Sequence, residues 1–158
     1  MKEPVQLAIK ATLLLVVLAC GYLAVSAWRS NSAEIRQAET RVTRALNEVL
    51  ALQKVDRIDR IAFPEASRLA GVPEELGFSR VLFVTERNSP GRQRVGMLEG
   101  SYNRVSGELE AKADFEGRND LTIKGTHDDS RWELSIVYDV TEGAHRGRLQ
   151  RLLVKDEE

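Results

Sequence analysis

Few side chains in this 158-residue sequence can do chemistry near neutral pH: two histidines, His127 and His145, and one thiol, Cys20. His127 is followed by Asp128 and Asp129, and a carboxylate beside an imidazole can orient it for metal binding or for acid–base work. The same Asp-Asp-Ser run is what a tight turn at a strand end uses, and turn chemistry is the reading adopted for it. Cys20 lies inside an apolar run, so a zinc site or a Cys/His nucleophile has almost nothing to be built from. No phosphate-binding Gly-rich loop, His-Glu-x-x-His, Cys-x-x-Cys or Gly-x-Ser-x-Gly occurs. The sequence therefore predicts no catalytic, cofactor-binding or metal-ligating residue, no cofactor and no enzymatic activity.

Arginine is the other chemically useful group. Arg87, Arg92 and Arg94 cluster around Pro90-Gly91, and Arg146, Arg148 and Arg151 follow His145. A guanidinium can grip a carboxylate or a phosphate through two parallel hydrogen bonds, so Arg87, Arg92 and Arg94 are the candidate contact for a protein partner or for anionic lipid. Glu86 and Glu142 lie close by in sequence and dilute both clusters, which makes a solvated strand face the plainer reading. Over the whole chain 23 Lys plus Arg face 24 Asp plus Glu. That balance creates no field to attract nucleic acid, and none is expected as a partner.

The element that must position all of this is the stretch 11–28, which carries no charge. At 1.5 Å per helical residue it reaches about 27 Å, close to the hydrocarbon thickness of a bilayer. One spanning helix is expected. A cleaved signal and a lipoprotein signal are the alternatives, because Val17-Leu18-Ala19-Cys20 resembles a lipobox, but apolar residues continue from Gly21 to Val25 where a cleaved signal turns polar. Tyr22 and Trp28 suit an interfacial belt, Arg29 ends the run, and Lys10 can snorkel to the headgroups. Lys2 and Lys10 precede the segment while Arg29, Arg36, Arg41 and Arg44 follow it, which mildly favours a cytoplasmic domain. A ten-residue tail, 1–10, before a short uncharged core is nevertheless the layout of a signal anchor. The expected location is a single-pass inner (plasma) membrane protein with its N-terminus cytoplasmic and its C-terminal domain outside, periplasmic. Cys20, Ala24 and Ala27 align at helical spacings of four and three, and such small residues let helices approach closely in lipid. They are the predicted partner-helix contact.

Residues 29–154 are expected to form one extramembrane domain, followed by a polar tail, 155–158. Ser30, Asn31 and Ser32 offer N-caps for a new helix, in which Ile35, Ala38, Val42, Ala45, Val49 and Leu52 recur at spacings of three and four. Leu46 and Leu50 widen that seam, while Glu34, Arg36, Glu39, Arg41, Arg44 and Glu48 are expected to stay wet. A short helix is predicted over 64–70, closed by Gly71, and a turn over 72–77. Strands follow over 80–87, 93–102 (bulged or bent at Gly96 and Gly100), 109–115, 121–127, 132–140 and 148–154, with turns at 88–91, 117–120 and 128–130. Short turns between consecutive strands make an antiparallel meander of five to six strands, covered by the helix. The fold class is α+β, cystatin-like, with Trp132 at its core.

At Ala70-Gly71-Val72-Pro73-Glu74-Glu75-Leu76-Gly77 the sequence resembles the Leu-Gly-x-Pro turn of the cytochrome c oxidase assembly factor family, with Ala70 where that family has Leu. Gly117, Trp132 and Leu134 are placed as that family places a Gly-rich bend and a Trp-bearing strand, and the likeness spans roughly residues 65–149. It implies a single-pass protein with a small α+β domain and an assembly or accessory role without cofactor. The leading expectation is a non-enzymatic accessory or assembly subunit of a larger membrane complex, respiratory or photosynthetic, whose partners are the membrane and other membrane-protein subunits. The competing expectation is a membrane-tethered ligand-binding module or small enzyme with its pocket between helix and sheet.

Overall fold

The computed structural model describes residues 3–85, 93–115, 120–139 and 149–155. It is an α+β molecule: one helix, α1 (Glu3–Leu52), then six strands, β1 (Glu75–Thr85), β2 (Gln93–Asn103), β3 (Glu108–Phe115), β4 (Asp120–Asp128), β5 (Arg131–Asp139) and β6 (Leu149–Lys155). The strands lie in chain order in a single antiparallel sheet.

The apolar segment and the amphipathic segment are one helix rather than two. No cap interrupts α1 at 30–32, because Ser32 Oγ donates to the carbonyl of Trp28, four residues back, at 2.6 Å. A serine that satisfies its hydroxyl along the helix has no need to end it. The helix also starts early: Glu3 to Lys10, expected as a tail, are helical, with Pro4 in the first turn where its missing N–H costs nothing. From Ala8 onward α1 is apolar and long enough to cross a membrane once, and the spanning window is wholly uncovered by the rest of the chain.

At its other end α1 stops in a Schellman motif. The Val55 N–H donates to the Leu50 carbonyl and the Lys54 N–H to that of Ala51, with Lys54 at φ 57° where glycine is usual. Val55 and Leu50 are both buried there.

Ile35, Ala38, Val42, Ala45, Leu46, Val49 and Leu50 are buried as their spacing predicts, whereas Leu52 is exposed just before the cap. Glu39 departs from expectation: it is buried, because residues 55–63 fold back along that side of α1. This connector contributes Val55, Ile58, Ile61 and Phe63 to the core. It is stitched down by polar residues four apart on the helix. Arg60 Nε lies 3.6 Å from Glu39 Oε2, Thr43 Oγ1 accepts from the Ile61 N–H at 2.8 Å, and Asn47 both donates to the Ile58 carbonyl and accepts from the Ile58 N–H, each at 2.9 Å.

The short helix expected over 64–70 is a turn. Ser67 Oγ accepts from the Leu69 and Ala70 N–H groups, and Ser67 bridges to Gly71; a hydroxyl that holds those amides competes with helix formation. β1 begins at Glu75, so part of the turn expected at 72–77 is already strand.

In the sheet, inner and outer positions alternate, as in β3 where Leu109, Ala111, Ala113 and Phe115 are buried and their neighbours exposed. Gly96 and Gly100 mark no bulge, since pairing of β2 with both neighbours is unbroken. They sit on the inner face opposite Phe115 and Phe78, whose rings lie over them: a Cβ on Gly100 would stand 2.7 Å from Phe78 Cζ, and one on Gly96 would stand 2.6 Å from Phe115 Cδ1. Gly107, at φ 74° in the β2–β3 turn, lies against the His127 carbonyl and accepts the His127 N–H. The turn expected at 88–91 and residues 117–119 of that expected at 117–120 lie outside the described residues, Asp120 already opening β4; the turn at 128–130 is present, with Asp129 at φ 42°.

Candidate functional site

Among the described residues, the space between helix and sheet, where a ligand pocket was the competing expectation, holds packed apolar side chains. Val42, Leu46, Val49 and Leu50 from α1 meet Ile123, Trp132 and Ile136 from the sheet in one cluster, all of them fully buried. Trp132 packs against Tyr102 (ring centroids 5.8 Å apart) and edge-on against His127 (5.0 Å). Its Nε1 is buried without a hydrogen-bond acceptor. His127 is thus half-buried on the inner face as a packing partner of Trp132, with Asp128 and Asp129 exposed beyond it. Among the described residues no three His, Cys, Asp or Glu side chains gather as a metal would require. His145 lies outside the described residues, as do Arg87, Arg92, Arg146 and Arg148, and with them the neighbours Glu86 and Glu142 and the family-like bend at Gly117.

Arg94 is placed by backbone alone, opposite Val84 near the start of β2. This end of the sheet lies beyond the C-terminus of α1, where the Asp56 N–H donates to the Phe83 carbonyl at 2.9 Å. Trp28 and Leu52 are separated by about 36 Å of helix, so this end of the sheet lies far from the bilayer that α1 can cross, and Arg94 holds a register position on the same side as buried Val84, opposite to that of Val81 and Phe83. Cys20, Ala24 and Ala27 are exposed on the uncovered half of α1. No residue of the spanning window is buried by the rest of the described chain, which leaves the stripe available to another helix.

Two features lie on the open face of the sheet, and neither was singled out from sequence. The first is a broad trough of about 900 Å³ over the anchor-side half, running from β1 to β6. Glu75, Glu108, Glu110 and Glu133 line it against Lys124 and Arg151. Lys124 Nζ is 2.9 Å from Glu110 Oε1, and Arg131 Nη2 is 3.5 Å from Glu133 Oε1 beside it. All four of these side chains are more than half exposed, so the pairs are solvent-screened and add little stability. The trough is thus a surface of exposed and partly paired charges.

The second is an apolar patch at the far end of the open face. Val81 pairs directly with Met97 and Phe83 with Val95, and all four are exposed. Exposed apolar residues that form cross-strand pairs make a contiguous surface, which is the arrangement that marks interaction sites. The signal was present in the sequence: Val81-Leu82-Phe83-Val84 is apolar at both parities, whereas a strand with one solvated face alternates.

No family model matches the chain, and neither a curated protein nor a solved structure matches it. The cystatin-like expectation and the assembly-factor resemblance therefore draw no support from relatives, and the functional reading rests on the surfaces just described.

Proposed function

We propose that this chain is a membrane-anchored, non-enzymatic accessory or assembly subunit of a larger membrane protein complex, with respiratory and photosynthetic complexes as natural candidates. α1 acts as a signal anchor in the inner (plasma) membrane, and the α+β domain stands outside, on the periplasmic side. The observation that carries the reading is the exposed quartet Val81, Phe83, Val95 and Met97, presented at the membrane-distal end of a domain whose core helix continues into the anchor. A tether alone needs no such patch. The occupant it suits is the extramembrane part of another subunit, while Cys20, Ala24 and Ala27 receive that subunit's helix within the bilayer.

Extraction in mild detergent followed by native electrophoresis tests this. The expected result is migration of the full-length chain with a larger assembly, and loss of that migration for Phe83→Asp with Met97→Asp while the chain stays folded and membrane-bound. A parent chain that always runs alone as a monomer overturns the proposal.

A further inference from the structure

The unbroken run of α1 fixes the height of every loop tied to it. Three contacts tie two loops to the helix within two turns of Trp28. Asn31 Nδ2 donates to the Arg68 carbonyl at 3.0 Å, the Arg68 guanidinium carbon stands 5.9 Å from the centroid of the Trp28 ring, and Arg104 Nη1 lies 3.3 Å from Glu34 Oε2. Asn31 and Glu34 are about 4.5 and 9 Å beyond Trp28 along the helix axis. With Trp28 at the hydrocarbon boundary and a headgroup layer about 5–8 Å deep, the loop at 67–70 stands within that layer and the turn at 104–106 at its outer margin.

The side chains at these two loop tips are the wrong ones for water. Leu69 is 75% exposed and Val105 70%, more than any other large apolar residue described outside α1. They are not loose ends that fold back on the core. Ser67 Oγ accepts from the Leu69 and Ala70 N–H groups, and Asn103 Oδ1 accepts from the Val105 and Ser106 N–H groups at 2.9 Å. Arg104 is held a second time, its Nε donating to the Pro73 carbonyl at 2.9 Å. Two apolar tips held out by side chain-to-backbone hydrogen bonds, at the level of the headgroups and beside an arginine stacked on the interfacial tryptophan, match the chemistry of the layer between acyl chains and water.

We propose that Leu69 and Val105, with Arg68 between Leu69 and Trp28, form a second contact with the bilayer that α1 spans, seating the anchor-side rim of the domain in the interfacial layer. The occupant is the lipid interface itself, and the contact rests on α1 being a membrane anchor. Seated this way, the domain stands at a fixed tilt instead of swinging on the helix, and its apolar quartet is held at a set distance from the membrane.

Site-directed labelling of the full-length chain tests it. In a Cys20→Ser background, Leu69→Cys, Val105→Cys and, as a far-end reference, Val81→Cys each carry an environment-sensitive fluorophore. The purified chain alone is reconstituted into phosphatidylcholine vesicles with and without nitroxide-headgroup lipid. The expected result is emission at 69 that is blue-shifted and quenched several-fold more than at 81, with 105 between them. Quenching at 69 and 105 equal to that at 81, in protein that floats with the vesicles, overturns the rim contact and leaves the anchor standing. Protein that does not float overturns the anchor and the contact together. Because all three positions are exposed, each variant should keep the parent's melting temperature, which confirms that the label reports on a folded domain.

Discussion

The two halves of α1 differ in apolar content and have opposite environments. Over 11–28 the apolar residues run all round the helix, and Leu13 through Leu18 are each more than half exposed. Over 35–50 they form a seam, and every member of it is buried against sheet and connector. The first half is apolar all round, and the second carries a polar side. A helix with a polar side has a direction in which to bury its apolar one, and a helix without it needs an apolar solvent. One covalent rod therefore belongs to two folding problems, one solved by lipid and one by a six-stranded sheet. The same substitution should have opposite readouts in the two halves.

The largest effect is expected where the sheet meets the packed half. Trp132→Ala removes a fully buried ring system from the cluster that also holds Val42, Leu46 and Val49, at a cost of about 3–5 kcal/mol, a large share of a typical domain's stability. Thermal unfolding of the full-length chain in detergent, followed by loss of strand signal, should show the domain largely unfolded at temperatures where the parent is intact, with the helical signal of 11–28 remaining. Since Trp132 Nε1 has no acceptor, Trp132→Phe forfeits volume but no hydrogen bond and should be clearly milder. A domain that melts within a degree or two of the parent after Trp132→Ala would mean that the packed half is not organised around this residue.

A matched pair sharpens the contrast. Leu46→Ala should cost the domain about 2–5 kcal/mol and leave membrane insertion untouched. Leu14→Ala, the same chemical change at an exposed position, should leave the domain's melting temperature unchanged. Equal shifts from both would show that the two halves fold as one cooperative unit, contrary to the division drawn here.

How much of this was legible in sequence follows the same division. Period 3.6 located the seam from Ile35 to Leu50, and period two located the strands and their inner faces, because burial on one side imposes those patterns directly. Three features depended on what lay opposite. Glu39 reads as solvated, and only the connector folding onto it, and onto Thr43 and Asn47 along the same side, makes it a partner. Gly96 and Gly100 read as bends, because sequence does not say that Phe115 and Phe78 stand across the ladder. Ser30 to Ser32 read as caps, because nothing local says that a helix already running can carry a serine whose hydroxyl bonds backward. The open-face trough was invisible for the same reason: it is a product of strand order, which brings Glu75 and Arg151 to the walls of one concavity across six strands.

The connector supplies the intermediate test. Asn47 mimics a strand partner for Ile58 through two 2.9 Å hydrogen bonds. Asn47→Ala leaves a half-buried amide and carbonyl without that partner, a loss of about 1–3 kcal/mol. Hydrogen exchange should localise the change to 56–61, with protection of β3 to β5 scaled down only by the global loss. If exchange at 56–61 is unaffected, the connector is held by its apolar residues alone.

The smallest effect on the domain is expected in the bare half, where the effect on partners should be greatest. Ala24 lies on the exposed face of α1 with Cys20 and Ala27, inside an apolar stretch that lipid solvates as readily as protein. Association there depends on how closely a second helix can approach, since the hydrophobic effect offers no preference between lipid and helix. Ala24→Phe adds a bulky apolar group that lipid tolerates and a close helix contact does not. Insertion should therefore be unchanged, and the melting temperature of the domain should stay within experimental error, because the described domain buries no residue of the spanning window. The complex, however, should loosen on native electrophoresis. Unchanged co-migration after Ala24→Phe would place the whole partner contact on the extramembrane domain and reduce the bare half of α1 to an anchor. In that case the quartet Val81, Phe83, Val95 and Met97 would have to hold the partner by itself, and Phe83→Asp with Met97→Asp should release it completely rather than in part.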